Sequence, residues 1–173
     1  VTDNLSRVVS GALAREEIPM PRLGNVLIVG PVTCEIREVD LDNFEHLNEA
    51  VNGSISSMSL PQDLRDLGLH AFCDDDGRAR QADRPNKYAV HLGHAELFGP
   101  IVLFRSSEDG EEQALTDGDI FWLTGYLSSA PPPEAAAAAQ GERDWFARTG
   151  GMEIRSFDNM DDFIRAMTGE RYE

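Results

Sequence analysis

Lysine is nearly absent from this 173-residue sequence: Lys87 is the single one, so almost all positive charge is arginine. Lysine and arginine together number 15 against 31 aspartates and glutamates, a formal net charge of −16. A surface of that sign repels phosphate backbones and anionic lipid, which argues against direct nucleic-acid binding and for a basic partner protein. Cysteine is also scarce. Cys34 and Cys73 fall in apolar, strand-like surroundings instead of a paired framework, and read as buried thiols of a reducing compartment. No apolar run reaches the length of a bilayer span, and the stretch Val1 to Ala14 has no basic lead followed by an unbroken apolar core. These features predict a cytoplasmic protein that does not enter a membrane. The length suffices for a core without metal or disulfide staples. No cofactor is expected.

What is present is an alternation of helical and strand-like periods. Leu5, Val8, Val9, Ala12 and Leu13 follow a helical repeat that Pro19 and Pro21 stop. From Asn25 the pattern becomes Val26-Leu27-Ile28-Val29, a Gly30-Pro31 turn, and alternation through Cys34, Ile36 and Val39, which predicts a hairpin. Asp42 with Glu45 has the spacing of a capping box for a helix burying Phe44, Leu47, Ala50 and Val51 and ending at Asn52-Gly53. A strand over Ser54 to Leu60, a short helical connection over Pro61 to Gly68 and a strand from Leu69 to Cys73 follow, closed by a polar turn at Asp74-Asp75-Asp76-Gly77. Pro85 opens a predicted helix through Tyr88, Ala89, Val90 and Leu92, closed by Gly93. Leu97 to Phe104 reads as a strand, Glu108 to Glu112 as a solvated loop. Thr116 or Asp117 starts a helix with Ile120, Phe121, Leu123 and Leu127 inward.

Composition breaks at Pro131-Pro132-Pro133 and the alanines that follow, a linker signal that can turn helical toward Trp145 and Phe146. A strand over Met152 to Phe157 and a helix burying Met160, Phe163, Ile164 and Met167 close the chain. The fold class is therefore α+β: a mixed or antiparallel sheet of about five strands packed with helices, plus an N-terminal helix and a C-terminal strand-helix extension. The divisions fall at 1–24, 25–130, 131–144 and 145–173.

From Leu69 to Leu115, the order and spacing of Phe72, Asp74-Asp75-Asp76-Gly77, Asn86, Ala89, Phe98-Gly99-Pro100-Ile101-Val102 and Gly110 before Leu115-Thr116-Asp117 carry a resemblance. The stretch resembles a small domain family of unknown function common in actinobacteria and their bacteriophages, and the likeness runs over roughly 25–127. It implies a compact α+β sheet and a phage or mobile-element setting, and supplies no activity.

Candidate chemistry is thin. Three adjacent aspartates at 74–76 point alternately apart, so a turn explains them better than a calcium loop, which needs spaced ligands and a closing glutamate. His91 and His94, with His70 and Cys73, match no zinc spacing, and apolar neighbours make either cysteine a poor nucleophile. Gly24 to Gly30 has no phosphate-binding lysine, and Asn52-Gly53-Ser54 reads as a turn. No catalytic residue and no metal ligand is assigned.

Two surfaces remain. Arg78, Arg80, Arg84 and Lys87 beside Asn86 form the one local basic cluster, an anion clamp if they converge, or a neutralising loop if they pair with Asp74 to Asp76 and Asp83. Carboxylates recur at Glu35, Glu38, Asp40, Asp42, Glu45 and Glu49, and again at Glu108, Asp109, Glu111 and Glu112, with further acids at Asp117, Asp119, Asp158, Asp161 and Asp162. Gathered on one face, they would imitate a phosphate backbone; scattered, they are ordinary solvated faces. The leading expectation is an acidic, non-enzymatic interaction module, phage-type, that inhibits a basic or DNA-binding host protein. The alternative is a small-ligand or anion-binding domain, enzymatic or not, using the 78–87 loop with His91 and His94. Trp122, Tyr126, Trp145 and Phe146 are candidate contacts for self-association into a homo-oligomer.

Overall fold

A computed structural model describes residues 20–149, so the expected N-terminal helix and the strand and helix expected after residue 150 lie outside the described residues. The chain enters β1 (Leu23–Val29) and returns as β2 (Cys34–Asp40), the hairpin its alternation predicts, with Val29 opposite Cys34 and Leu23 opposite Asp40. Then come α1 (Phe44–Val51), β3 (Ile55–Met58), α2 (Gln62–Asp66), β4 (Leu69–Asp74) and a short α3 (Gly77–Arg80). A 3-10 turn (Val90–Leu92) leads to β5 (Ile101–Ser106), β6 (Glu112–Gln113), α4 (Asp117–Ser128) and α5 (Pro133–Thr149). The sheet runs β2-β1-β5-β4-β3 with β6 on the end of β5, and every pairing is antiparallel. The α+β class and the antiparallel sheet are those the sequence predicts.

Both faces of the sheet are covered. Ile101, Val102, Leu103 and Phe104 of the central β5 are all buried, the signature of a strand with apolar layers on either side. On one face Val26, Ile28, Phe72, Val102 and Phe104 meet Leu47, Ala50 and Val51 of α1. On the other, Leu27, Val29, Ala71, Ile101 and Leu103 meet Leu64, Leu92, Leu123 and Leu127 from α2, the 3-10 turn and α4. Leu123 and Leu127, at about 1.5–3 kcal/mol for each buried leucine, help hold α4 to the sheet together with Ile120 and Tyr126. Its first turn carries the capping box at Thr116, which accepts from Asp119 N–H while the Asp119 carboxylate accepts from Thr116 N–H.

Several local expectations give way. The cap of α1 is Asn43, whose side chain accepts from Glu45 N–H at 3.0 Å, because the expected cap, Asp42, is committed to Arg22. Phe44 is 65% exposed, not buried. No helix runs from Pro85: that residue bridges to Phe98, and only the turn at Val90–Leu92 is helical. Asn86 is the cause, since its buried amide donates to the carbonyls of Val29 and Gly99 while its oxygen accepts from Tyr88 N–H. The aspartate run turns at Asp75 and Asp76 as expected, but it leads into a helix and not back into a strand. Its first member, Asp74, is buried and the chain passes straight into α3.

The stretch read as a Pro/Ala linker is helical from Pro133. Its alanines explain how it lies against the body: Ala135 and Ala139 are fully buried where α5 crosses the 3-10 turn, an approach that larger side chains would prevent. Glu142 then reaches back to accept from Ala95 N–H and to meet His94 Nδ1 at 3.3 Å.

Candidate interaction surface

Arg22, just before β1, organises the acidic residues. Its backbone N–H donates to Asp40 Oδ1 at 3.2 Å, its guanidinium to Asp42 at 2.7 Å, and a second nitrogen lies 3.9 Å from Glu111. The turn after β2 and the β5–β6 turn, far apart in sequence, therefore meet at one corner. The Asp42 hydrogen bond raises the Arg22 pKa against the opposing effect of burial, and the charges of Asp42, Glu111 and Glu112 add to it. Glu45 and Glu49 are exposed on α1, which starts immediately beyond Asp42, and Glu108 and Asp109 are exposed at the tip of the β5–β6 turn.

The two remaining members lie elsewhere. Glu35 sits near the far end of β2 and is bound by Arg37. Glu38 alternates to the opposite side of that strand, the side toward α4. The corner thus gathers Asp40, Asp42, Glu111 and Glu112 around Arg22, with Glu45 and Glu49 on the adjoining helix, whereas Glu35 and Glu38 flank the sheet edge.

The residues of the basic loop do not converge. Arg78 pairs with Glu96 at 2.6 Å and lies over the rings of Phe98 and Phe146. Arg80 lies 3.8 Å from Asp74, Arg84 is exposed, and Lys87 lies over Tyr88. Asn86, buried beneath them, holds backbone carbonyls as described above.

The histidines are also dispersed. His91 Nε2 faces the Ser129 carbonyl at 2.7 Å and His94 Nε2 faces the Ser59 carbonyl at 2.7 Å, while His70 stands beside Phe104 on the α1 side of the sheet. Among the described residues no three histidine, cysteine or acidic side chains are grouped to hold a metal ion. Cys34 and Cys73 are half-buried, not buried, and removal from water raises both thiol pKa values; Asp74 and Asp75 add to the effect at Cys73. No helix among the described residues is long and apolar enough to cross a membrane.

One feature escapes the pattern reading. An open groove of about 980 Å³ runs between β2 and α4, lined by Ile36 on the sheet side and by Ile120 and Phe121 on the helix side. Phe121 is 84% exposed and Ile36 56%, and Trp122 stacks on Tyr126 alongside. A signal for it exists in the run Ile120-Phe121-Trp122-Leu123: consecutive apolar residues at about 100° each cannot all face one core. Of the aromatic residues expected at contacts, Trp122 is exposed and Tyr126 half-buried beside this groove, whereas Trp145 and Phe146 are half-buried on α5.

No family model, no curated protein and no solved structure matches the chain.

Proposed function

We propose that the chain is a non-catalytic protein-interaction module that receives a basic partner at the Arg22 corner. The carrying observation is the link from Asp42 through Arg22 to Glu111, which draws two acidic segments together around a single guanidinium. Among the described residues one positive charge stands among Asp40, Asp42, Glu111 and Glu112, with Glu45 and Glu49 beside them, a strongly negative local field that steers and orients a basic surface. The partner class that suits this field is a protein whose arginines and lysines otherwise meet phosphates, so the module acts as a competitor for a DNA-binding surface. A phage or mobile-element setting, implied by the family resemblance, fits such a role. The basic loop offers less to a ligand, because Arg78 and Asn86 are already engaged within the chain.

Affinity capture from a lysate of the source organism, washed at low and high salt, tests the reading. The expected result is a basic protein retained at low salt, released at high salt, and lost when Glu45, Glu49, Glu108, Asp109 and Glu111 are replaced together by their amides. Retention that ignores both salt and these replacements contradicts it.

A further inference from the structure

We propose that β2 pairs antiparallel with the β2 of a second copy, about a two-fold axis through Ile36, joining the two sheets into one. The surface adjoins the acidic corner at Asp40, the last residue of β2, but does not depend on it.

The edges of the sheet are unequal. β3 is a strand of only four residues whose outward groups are partly engaged: Asn48 Oδ1 accepts from Ile55 N–H at 2.9 Å, and just beyond the strand the Ser59 carbonyl meets His94. At β2 the hydrogen-bonded pairs with β1 run from Arg22 with Leu41 to Gly30 with Thr33, which turns the N–H and C=O groups of Ile36 and Glu38 outward. Among the described residues no donor or acceptor meets them. A seven-residue edge with free backbone groups and an exposed isoleucine is a template for strand addition.

The side chains of β2 select the occupant. With Ile36 opposite its own copy, outward backbone groups exchange hydrogen bonds at Ile36 with Ile36 and at Cys34 with Glu38. Glu35 then falls directly opposite Arg37 of the second copy, twice over by symmetry. Centring the axis on Glu35, Arg37 or Glu38 instead sets like charges face to face, which is unfavourable. Of the registers centred between Glu35 and Glu38, the Ile36 one alone keeps every charged side chain of that stretch from its own kind. It also keeps both α4 helices on the same side, so that the two grooves become continuous, and Ile36 and Phe121 of each copy are covered by the other. The net charge of −16 on each chain opposes association, but beyond about 8 Å physiological salt screens it, whereas the cross-strand pairs are in contact.

The full chain is examined by sedimentation velocity and light scattering across a concentration series at physiological salt, with far-UV circular dichroism as a check on folding. The proposal expects a species of twice the 19.1 kDa chain mass. Arg37→Glu, which places acids opposite acids, weakens the dimer about tenfold or more, and Glu35→Arg with Arg37→Glu restores it by exchanging the charges. Ile36→Lys, at the axis, also separates the copies without loss of helix or sheet signal. A wild-type chain that stays at 19.1 kDa throughout overturns the proposal and leaves the groove to residues 1–19 or to a different protein. A dimer indifferent to Arg37→Glu, or not recovered by the double exchange, overturns it equally.

Discussion

Gln81 donates its side-chain amide to the buried Asp74 carboxylate at 2.8 Å, and the same nitrogen contacts the Val51 carbonyl at 3.2 Å. This pair ties the end of β4 to the end of α1. Asp74 also accepts from Ser54 N–H at 3.2 Å and Asp76 N–H at 3.3 Å. Room for the pair is made by two glycines: a Cβ on Gly53 would stand 2.2 Å from the Asp74 carboxylate, and one on Gly99, where φ is +76°, 2.4 Å from Gln81 Oε1.

Replacing Asp74 by alanine strands one N–H of the Gln81 amide and two backbone donors at once. We expect a loss of about 3 kcal/mol, read as a shift in the urea midpoint. Gly53→Ala and Gly99→Ala each destabilise as well, the second through its positive φ as well as the clash. A midpoint unmoved by Asp74→Ala would mean that the network is not formed.

Asp119 and Arg105 predict acid sensitivity. The Arg105 guanidinium meets Asp119 at 2.6 and 2.7 Å, and chiefly through that contact, against a smaller effect of burial, the Asp119 carboxyl is lowered to about 2. At Asp74 burial pushes upward, but Gln81, the two N–H groups and Arg80 outweigh it, so this carboxyl too lies below its ordinary value. A depressed folded pKa stabilises the folded state above the unfolded value near 3.8 and is lost as pH falls through the folded value. Stability should therefore be level above about pH 5 from these groups and decline toward pH 2, and Asp119→Asn should flatten part of that decline. At neutral pH Asp119→Ala costs about 2 kcal/mol, since it removes both a charge-assisted pair and the α4 capping box.

Tyr126 supplies a spectroscopic check on where α4 sits. Its hydroxyl donates to the His91 carbonyl at 2.7 Å, and burial, with the charges of Asp63 and Glu134, pushes its pKa up to about 12. Ultraviolet titration should show one phenol ionising near 12, a component missing from Tyr126→Phe. Ordinary titration of every tyrosine near 10 would place α4 differently.

The thiols should be sluggish. With both pKa values raised by removal from water, Cys34 and Cys73 react with a disulfide reagent at neutral pH more slowly than free cysteine, and denaturant abolishes the difference. Native-state rates equal to those in denaturant would contradict the half-buried placement.

Residues whose role is set by local chemistry were the legible ones. Ile101 to Phe104 announce a buried strand, Thr116 with Asp119 a helix start, and Asn52-Gly53 a helix stop, because period, cap and turn preferences act over a few neighbours. Phe44 and Phe121 are exposed against expectation for a common reason: periodicity shows which residues share a face, not whether anything covers it. Asp74 is indistinguishable in sequence from Asp75 and Asp76; only the end of β4 turns the first of them inward. Asn86 overrode a helix signal by bonding to the carbonyl of Val29 in β1 and to that of Gly99 before β5. At the candidate site the acidic residues were visible singly, but their meeting depended on Arg22, an unremarked arginine that two turns share.

The central claim, that the Arg22 corner is where basic surfaces dock, is tested most directly by titrating the isotopically labelled full chain with an oligoarginine peptide and following backbone amide shifts. The account predicts saturable changes concentrated in Asp40 to Glu49 and Glu108 to Glu112, disappearing as salt is added. Changes spread over exposed carboxylates throughout the chain, or centred away from the corner, would contradict it.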